Sequence, residues 1–186
     1  ICGYGEILKH SLIENKKFFI FLNKNLQKIL SLSSPFIEKA IYESCKIKKK
    51  VVEKDEKEIA FRKVLNFGHT FAHAYEAGLG YSHKLNHGEA VILGMKTALS
   101  FSFKENMLSK SEYNLIINHI DNSGLPSSIK KYFSIKDLNK ILSFMIKDKK
   151  NNSKKINLVL LKKIGKPIFN KQYSKKKLNL FLKKFL

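Results

Sequence analysis

The chain has 186 residues and a formal net charge of +21, from 36 Lys and Arg against 15 Asp and Glu. Its 44% apolar content excludes a disordered polymer, and no apolar run reaches the length that a membrane span needs. The cations are mostly Lys, scattered among Asn and Ile in every segment. A compositional bias of that kind points away from a nucleic-acid partner and from a membrane partner, and runs such as 48–50 and 175–177 read as solvated faces. A basic helical nucleic-acid-binding module stands as the alternative from a different class.

The chain opens Ile1-Cys2-Gly3-Tyr4-Gly5-Glu6, without an initiator Met or the basic and apolar regions of a signal peptide. A helical pattern starts almost at once, as expected of a chain cut from something longer. Apolar residues Ile7, Leu8, Leu12, Ile13, Phe18 and Phe19 predict one helix from Gly5 to about Leu22. Ser33-Ser34-Pro35 is a capping sequence with a first-turn proline, opening a helix to about Val52. The acidic stretch 53–58 reads as a loop. A third helix is predicted from about Asn66 to Ala77, stopped by Gly78-Leu79-Gly80. After a loop over 81–86, a fourth begins near His87-Gly88-Glu89. Residues 109–120 and 134–146 predict two more amphipathic helices, parted by Gly124-Leu125-Pro126. The alternation of 155–161 predicts a short strand ending at Gly165-Lys166-Pro167, and the chain closes in a basic helix from Ser174. The expectation is a single, mainly α domain over residues 1–186 with a small late β element. Cys2 and Cys45 fit no Cys-x-x-Cys pattern, so free thiols and a reducing cytoplasm are expected.

Chemistry concentrates in Arg62-Lys-Val-Leu-Asn66-Phe-Gly-His69-Thr-Phe-Ala-His73 and in His87-Gly88-Glu89. His69 and His73 are one helical turn apart, and on a continuous helix Arg62 and Asn66 would share their face. Two imidazoles and a carboxylate make a metal set with an open position, as a catalytic zinc requires. His69, His87 and Glu6 can supply it, although spacing alone leaves Glu58 and Glu76 as possible third ligands. The His-x-x-x-His pair differs from that of zinc proteases, which place Glu directly after the first His; here Thr70 stands there. Arg62 suits an anionic substrate, with Lys9 and Lys48 as point charges and His73 as a proton carrier. His10, His83 and His119 lack such company and are read as structural.

These motifs resemble 3-dehydroquinate synthase. The likeness runs through Gly5-Glu6-Ile-Leu-Lys9, Ile47-Lys48, Val51-Val52, Asp55-Glu56, the Arg62-to-Glu76 series, His87-Gly88-Glu89-Ala90-Val91 with Gly94-Met95, and Asp148-Lys149-Lys150. It covers nearly the whole chain in order, and departs mildly at Ala72, where many members carry Gly, and at Tyr75. It implies the helical C-terminal domain of that fold, with no Gly-rich NAD loop of the N-terminal half. It also implies zinc, or cobalt, on Glu6, His69 and His87, and substrate contacts from Lys9, Lys48, Arg62, Asn66, His73 and Lys149, with Lys150 an equal alignment. Glu58 would work near the metal through water.

The activity implied is cyclisation of a seven-carbon phosphorylated keto sugar acid to 3-dehydroquinate, an early step of the shikimate pathway. The reaction uses NAD and eliminates phosphate. The partners implied are that small substrate, an NAD-binding domain in cis or on a split chain, and a second copy in a homodimer. This chain by itself is expected to be inactive. Among related sugar-phosphate cyclases, those making 2-deoxy-scyllo-inosose or aminodehydroquinate are the nearest alternatives. The glycerol dehydrogenase group shares the architecture without the full motif series.

Overall fold

The computed structural model describes residues 2–147 and 155–186, leaving the Asp148-Lys149-Lys150 motif outside the described residues. Helix α1 spans Cys2–Glu14 and α2 spans Lys16–Lys24. The single helix expected up to Leu22 is therefore two. Asn15 turns extended (φ −143°) and its side chain accepts a hydrogen bond from the Phe18 N–H, so it starts a new helix in place of continuing the old one. After the short α3 (Leu26–Leu30), α4 covers Phe36–Lys54, with Pro35 at its N-cap and the Ser33 carbonyl accepting from the Phe36 and Ile37 N–H groups.

The acidic loop that follows is organised by Asp55. Its carboxylate accepts backbone N–H bonds from Arg62, Ala60 and Ile59 at 2.8–3.0 Å. The Arg62 N–H bond, aided by those from Ala60 and Ile59, outweighs desolvation and holds the Asp55 carboxyl below its ordinary pKa. This anchoring starts a 3-10 turn at Phe61–Asn66. Helix α5 then runs from His69 to Gly78, so the predicted helix start at Asn66 moves by three residues. Gly68 lies between them at φ +80°, a left-handed conformation that ends the 3-10 turn before the helix begins. Arg62 and Asn66 consequently precede α5 and do not share a helical face with His69 and His73.

Helix α6, His87–Lys104, opens on a reciprocal cap between Asn86 and Glu89. Helix α7 covers Lys110–Asp121 with Ser109 as its cap, and α8 covers Leu138–Lys147 after two 3-10 turns. The predicted strand is β1, Lys155–Lys163, and it has an antiparallel partner that alternation did not reveal: β2, Lys166–Ser174, containing Pro167. The hairpin is two-stranded, so Pro167 sits at an edge, where a proline is tolerated. Helix α9, Lys175–Phe185, is capped by the Ser174 side chain. No helix among the described residues is long and apolar enough to cross a membrane.

Helix α6 is buried on nearly every side from Gly88 to Ser102, and α1, α5, α7 and β1 pack around it. Its small residues set how closely the neighbours approach. A Cβ on Gly94 would stand 2.2 Å from the Gly68 carbonyl oxygen and 2.9 Å from the Ala72 nitrogen. A Cβ on Gly5 would stand 2.8 Å from the Gly88 carbonyl oxygen. At both points backbone meets backbone, which no rotamer change can relieve.

A polar network lies within the core where α1, α2 and α7 meet. His119 is 1% exposed, with Nε2 2.7 Å from the Tyr4 hydroxyl and Nδ1 2.9 Å from Asn23 Oδ1. An amide oxygen only accepts, so Nδ1 donates to Asn23 and the Tyr4 hydroxyl donates to Nε2. Burial lowers the His119 pKa from 6.5 to about 4, keeping the ring neutral in that role.

Gly94→Ala is expected to cost about 3 kcal/mol, near the upper end for overpacking, because α5 must move off α6; urea denaturation checks it. His119 gives a separate, pH-dependent expectation. Because its folded pKa is depressed, its contribution is complete above pH 6.5 and is lost as pH falls toward 4, by about 3 kcal/mol. Unfolding free energies measured across that window should fall with acid, and His119→Gln should flatten the fall.

Candidate metal centre

Two helix starts and the second turn of α1 supply the centre. Gly5 lets α1 touch the first turn of α6, which sets the next residue, Glu6, beside His87. Gly68, locked against Gly94 and Met95, sets His69 at the first position of α5. One ligand atom each from Glu6, His69 and His87 then falls within 4.8 Å of the others. The His69 and His87 ring centroids are 5.7 Å apart, and His69 Nε2 lies 3.7 Å from Glu6 Oε1. His87 is exposed while Glu6 and His69 are half-buried, which gives the centre an open side.

The hydrogen bonds behind the two imidazoles determine which nitrogen each presents. His69 Nδ1 lies 3.2 Å from the Phe67 carbonyl oxygen, and His87 Nδ1 lies 3.0 Å from Glu76 Oε1. Both partners only accept, so each Nδ1 carries the proton and donates it. In the neutral ring Nε2 then keeps the lone pair that a metal-binding imidazole needs. Burial foremost, with the charge of Lys9, lowers the His69 pKa from 6.5 to about 3, so the ring is neutral at physiological pH.

Lys9, 3% exposed, donates to both Glu6 oxygens at 2.9 and 2.8 Å. Burial by itself would raise the Glu6 pKa, but the charge and hydrogen bonds of Lys9 outweigh it and keep the carboxylate ionised. The donor set is thus two imidazoles, that of His69 neutral, and one anionic carboxylate. Such a set fits a divalent ion of borderline softness, zinc or cobalt, with coordination positions to spare.

The other residues expected at the site surround this centre to different degrees. His73 is one turn along α5, its ring centroid 5.4 Å from that of His69 and 6.5 Å from that of His87. Asn66 Nδ2 donates to Glu58 Oε1 at 2.9 Å, and Glu58 holds a left-handed backbone (φ 54°) as it accepts. Such a conformation costs a non-glycine residue about 1–2 kcal/mol, and backbone strain of that kind concentrates at functional sites. Arg62 reaches the loop through Nη1, 2.8 Å from the Glu56 carbonyl. Lys48 is exposed on α4, near enough that its charge bears on His10. Lys149 lies outside the described residues.

Two residues were missed by sequence reasoning in these roles. Glu76 belongs to the motif series but stands behind His87 as its hydrogen-bond partner. His10, read as structural, is in fact beside Glu6, one turn along the same helix, and that four-residue spacing was the available signal.

A family model described as the 3-dehydroquinate synthase C-terminal domain matches residues 3–151. The chain is 66% identical over 186 residues to 3-dehydroquinate synthase of Pelagibacter ubique, covering 100% of this chain and 50% of that protein. It is 35% identical over 181 residues to the 3-dehydroquinate synthase of Zymomonas mobilis, covering 97% and 48%. The chain therefore spans about half the length of the curated relatives it matches. Among solved structures, 2-epi-5-epi-valiolone synthase from Streptomyces hygroscopicus, with NAD+ and Zn2+ bound, matches with a TM-score of 0.82 at 18% identity, covering 99% of this chain and 50% of that one. A 2-deoxy-scyllo-inosose synthase complexed with carbaglucose-6-phosphate, NAD+ and Co2+ also gives 0.82, at 23% identity, covering 100% and 52%. At such identities the likeness is one of fold.

His69→Ala is expected to abolish zinc binding, while His73→Ala leaves one ion per chain. Metal analysis after dialysis checks both, and unchanged stoichiometry in His69→Ala would remove the assignment.

Proposed function

The chain belongs to the 3-dehydroquinate synthase family, and on that premise we propose that it forms the metal- and substrate-binding part of an NAD-dependent phosphate-eliminating cyclase. The substrate proposed is 3-deoxy-D-arabino-heptulosonate 7-phosphate and the product 3-dehydroquinate. The enzyme would be a carbon–oxygen lyase of the shikimate pathway leading to aromatic amino acids. The observation that carries this reading is the convergence of Glu6, His69 and His87 beside the buried ammonium of Lys9. The 66% identity to a 3-dehydroquinate synthase, against 18–23% to the other cyclases, favours this substrate over theirs.

A zinc or cobalt ion on those three residues would supply Lewis acidity toward the substrate hydroxyls. NAD would supply the transient oxidation and reduction, held mainly by a domain corresponding to the half of its relatives that this chain does not span. The chain's own residues bind, orient and move protons. Lys9 keeps Glu6 anionic and puts a positive charge next to the metal ligands. Arg62 offers a planar fork to a carboxylate or phosphate, with its direction set by the bond to the Glu56 carbonyl. The Asn66 amide is oriented by Glu58, and the two would meet substrate or water. His73, close to both ligand histidines, is suited to accept and return a proton at its ring nitrogen. Lys48 and Lys149 add point charges for the substrate's anionic groups. The same family reading carries a cytoplasmic location and a homodimeric state.

The test is phosphate release by the full-length protein with NAD, metal and the heptulosonate phosphate. Arg62→Lys is expected to lower kcat/KM about 100-fold at unchanged metal stoichiometry, since an ammonium cannot reproduce the fork. Release from glucose 6-phosphate and none from the heptulosonate phosphate would overturn the substrate assignment.

A further inference from the structure

His10 lies one turn beyond Glu6 on α1 and is 3% exposed. Its Nδ1 is 2.8 Å from the Ser44 hydroxyl on α4. Among the described residues its Nε2 is buried without a hydrogen-bond partner, 3.9 Å from Glu6 Oε2. The contrast with His119 is direct, because that equally buried ring uses both nitrogens. Leaving a buried polar atom unpaired costs about 1–3 kcal/mol, so an orphan 3.9 Å from a carboxylate calls for a reason.

The tautomer follows from what each nitrogen faces. A bare Nε2 lone pair would be repelled by the Glu6 carboxylate, whereas an Nε2–H is attracted to it. A neutral ring has one N–H, so with the proton on Nε2 the unprotonated Nδ1 accepts from the Ser44 hydroxyl. The direction of donation is then Ser44 to His10 to Glu6. Closing the last link needs an approach of about 1 Å, within reach of a small carboxylate rotation.

We propose that His10 is a positioning residue for Glu6, its Nε2–H holding the carboxylate in the orientation that binds metal, alongside the two bonds from Lys9. The proposal rests on the reading of Glu6, His69 and His87 as a divalent metal site. Two donors of different kinds then act on one carboxylate. Lys9 keeps it ionised by charge, and His10 fixes its rotation by a directional bond. Ser44 in turn holds the imidazole plane. Partners that orient a metal ligand in this way are worth about 10–100-fold in metal affinity.

The experiment is Zn2+ affinity of the full chain, measured by competition with a chromophoric chelator, for wild type, His10→Phe, His10→Asn and His10→Gln. The Gln amide nitrogen can occupy the place of Nε2, whereas Asn reaches only the place of Nδ1. The expected result is a 10–100-fold weaker Kd for His10→Phe and His10→Asn, with His10→Gln within about threefold of wild type. Metal-free thermal midpoints of the Asn and Gln variants should agree, which a purely structural role for the ring would not produce alongside different affinities. Wild-type affinity in His10→Asn, or equal weakening in Asn and Gln, would overturn the proposal. If His10→Phe fails to fold, the Asn–Gln comparison still decides it. Failure of wild type itself to bind one Zn2+ would instead refute the metal reading on which the proposal depends.

Discussion

The centre depends on two places where helix backbones touch. Gly5 against the Gly88 carbonyl, and Gly94 against the Gly68 carbonyl, bring α1 and α5 onto α6 at distances that any side chain would forbid. The ligands sit immediately beside these contacts: Glu6 follows Gly5, His87 precedes Gly88, and His69 follows Gly68. Packing is stiff at backbone contacts because neither partner has a rotamer to change. Ligand placement is therefore inherited from these backbone contacts, and the long apolar interior of α6 is what makes that packing rigid.

Upon that frame the electrostatics are arranged around a single carboxylate. Glu6 is desolvated enough to favour protonation, yet Lys9 reverses the preference by two hydrogen bonds and its charge. The same ammonium helps to keep His69 neutral. One buried cation thus sets both ligand types in their metal-binding forms, an anion and a neutral imidazole. A buried ion pair of this kind contributes little net stability after desolvation, so its value lies in the protonation states that it enforces. Behind the ligands, the Phe67 carbonyl and the Glu76 carboxylate choose the tautomers.

The histidines of the chain separate by what surrounds them rather than by spacing. His119 is buried and saturated by Tyr4 and Asn23, and it serves the core. His69 and His87 each spend one nitrogen on a fixed acceptor, and His69 turns the other toward Glu6. His83 is exposed on the loop before α6. Burial is the foremost cause lowering the pKa of a core histidine and of a site histidine alike, as His119 and His69 both show, so the hydrogen-bond partners carry the distinction.

Much of this was legible in the residues. Helical periodicity located α4 and α6 through α8, Gly and Pro marked the turns, and the late alternation located β1. The motif series, by its resemblance, named Glu6, His69 and His87 together, which spacing alone left open against Glu58 and Glu76. Local sequence determines such features because helix periodicity, caps and breakers act over a few residues. Other features arise only when distant segments meet. The break at Gly68 separates Arg62 and Asn66 from the helix of His69, because the backbone there is shaped by Met95 and Gly94 on α6. The second strand exists because β1 pairs it, despite Pro167. Glu76 became the partner of His87, and His10 the neighbour of both Ser44 and Glu6, through contacts that no local periodicity encodes. Residue types and local order belong to the sequence by itself. The tertiary structure decided which of them face one another, since close approach across helices depends on packing volumes contributed by the whole core.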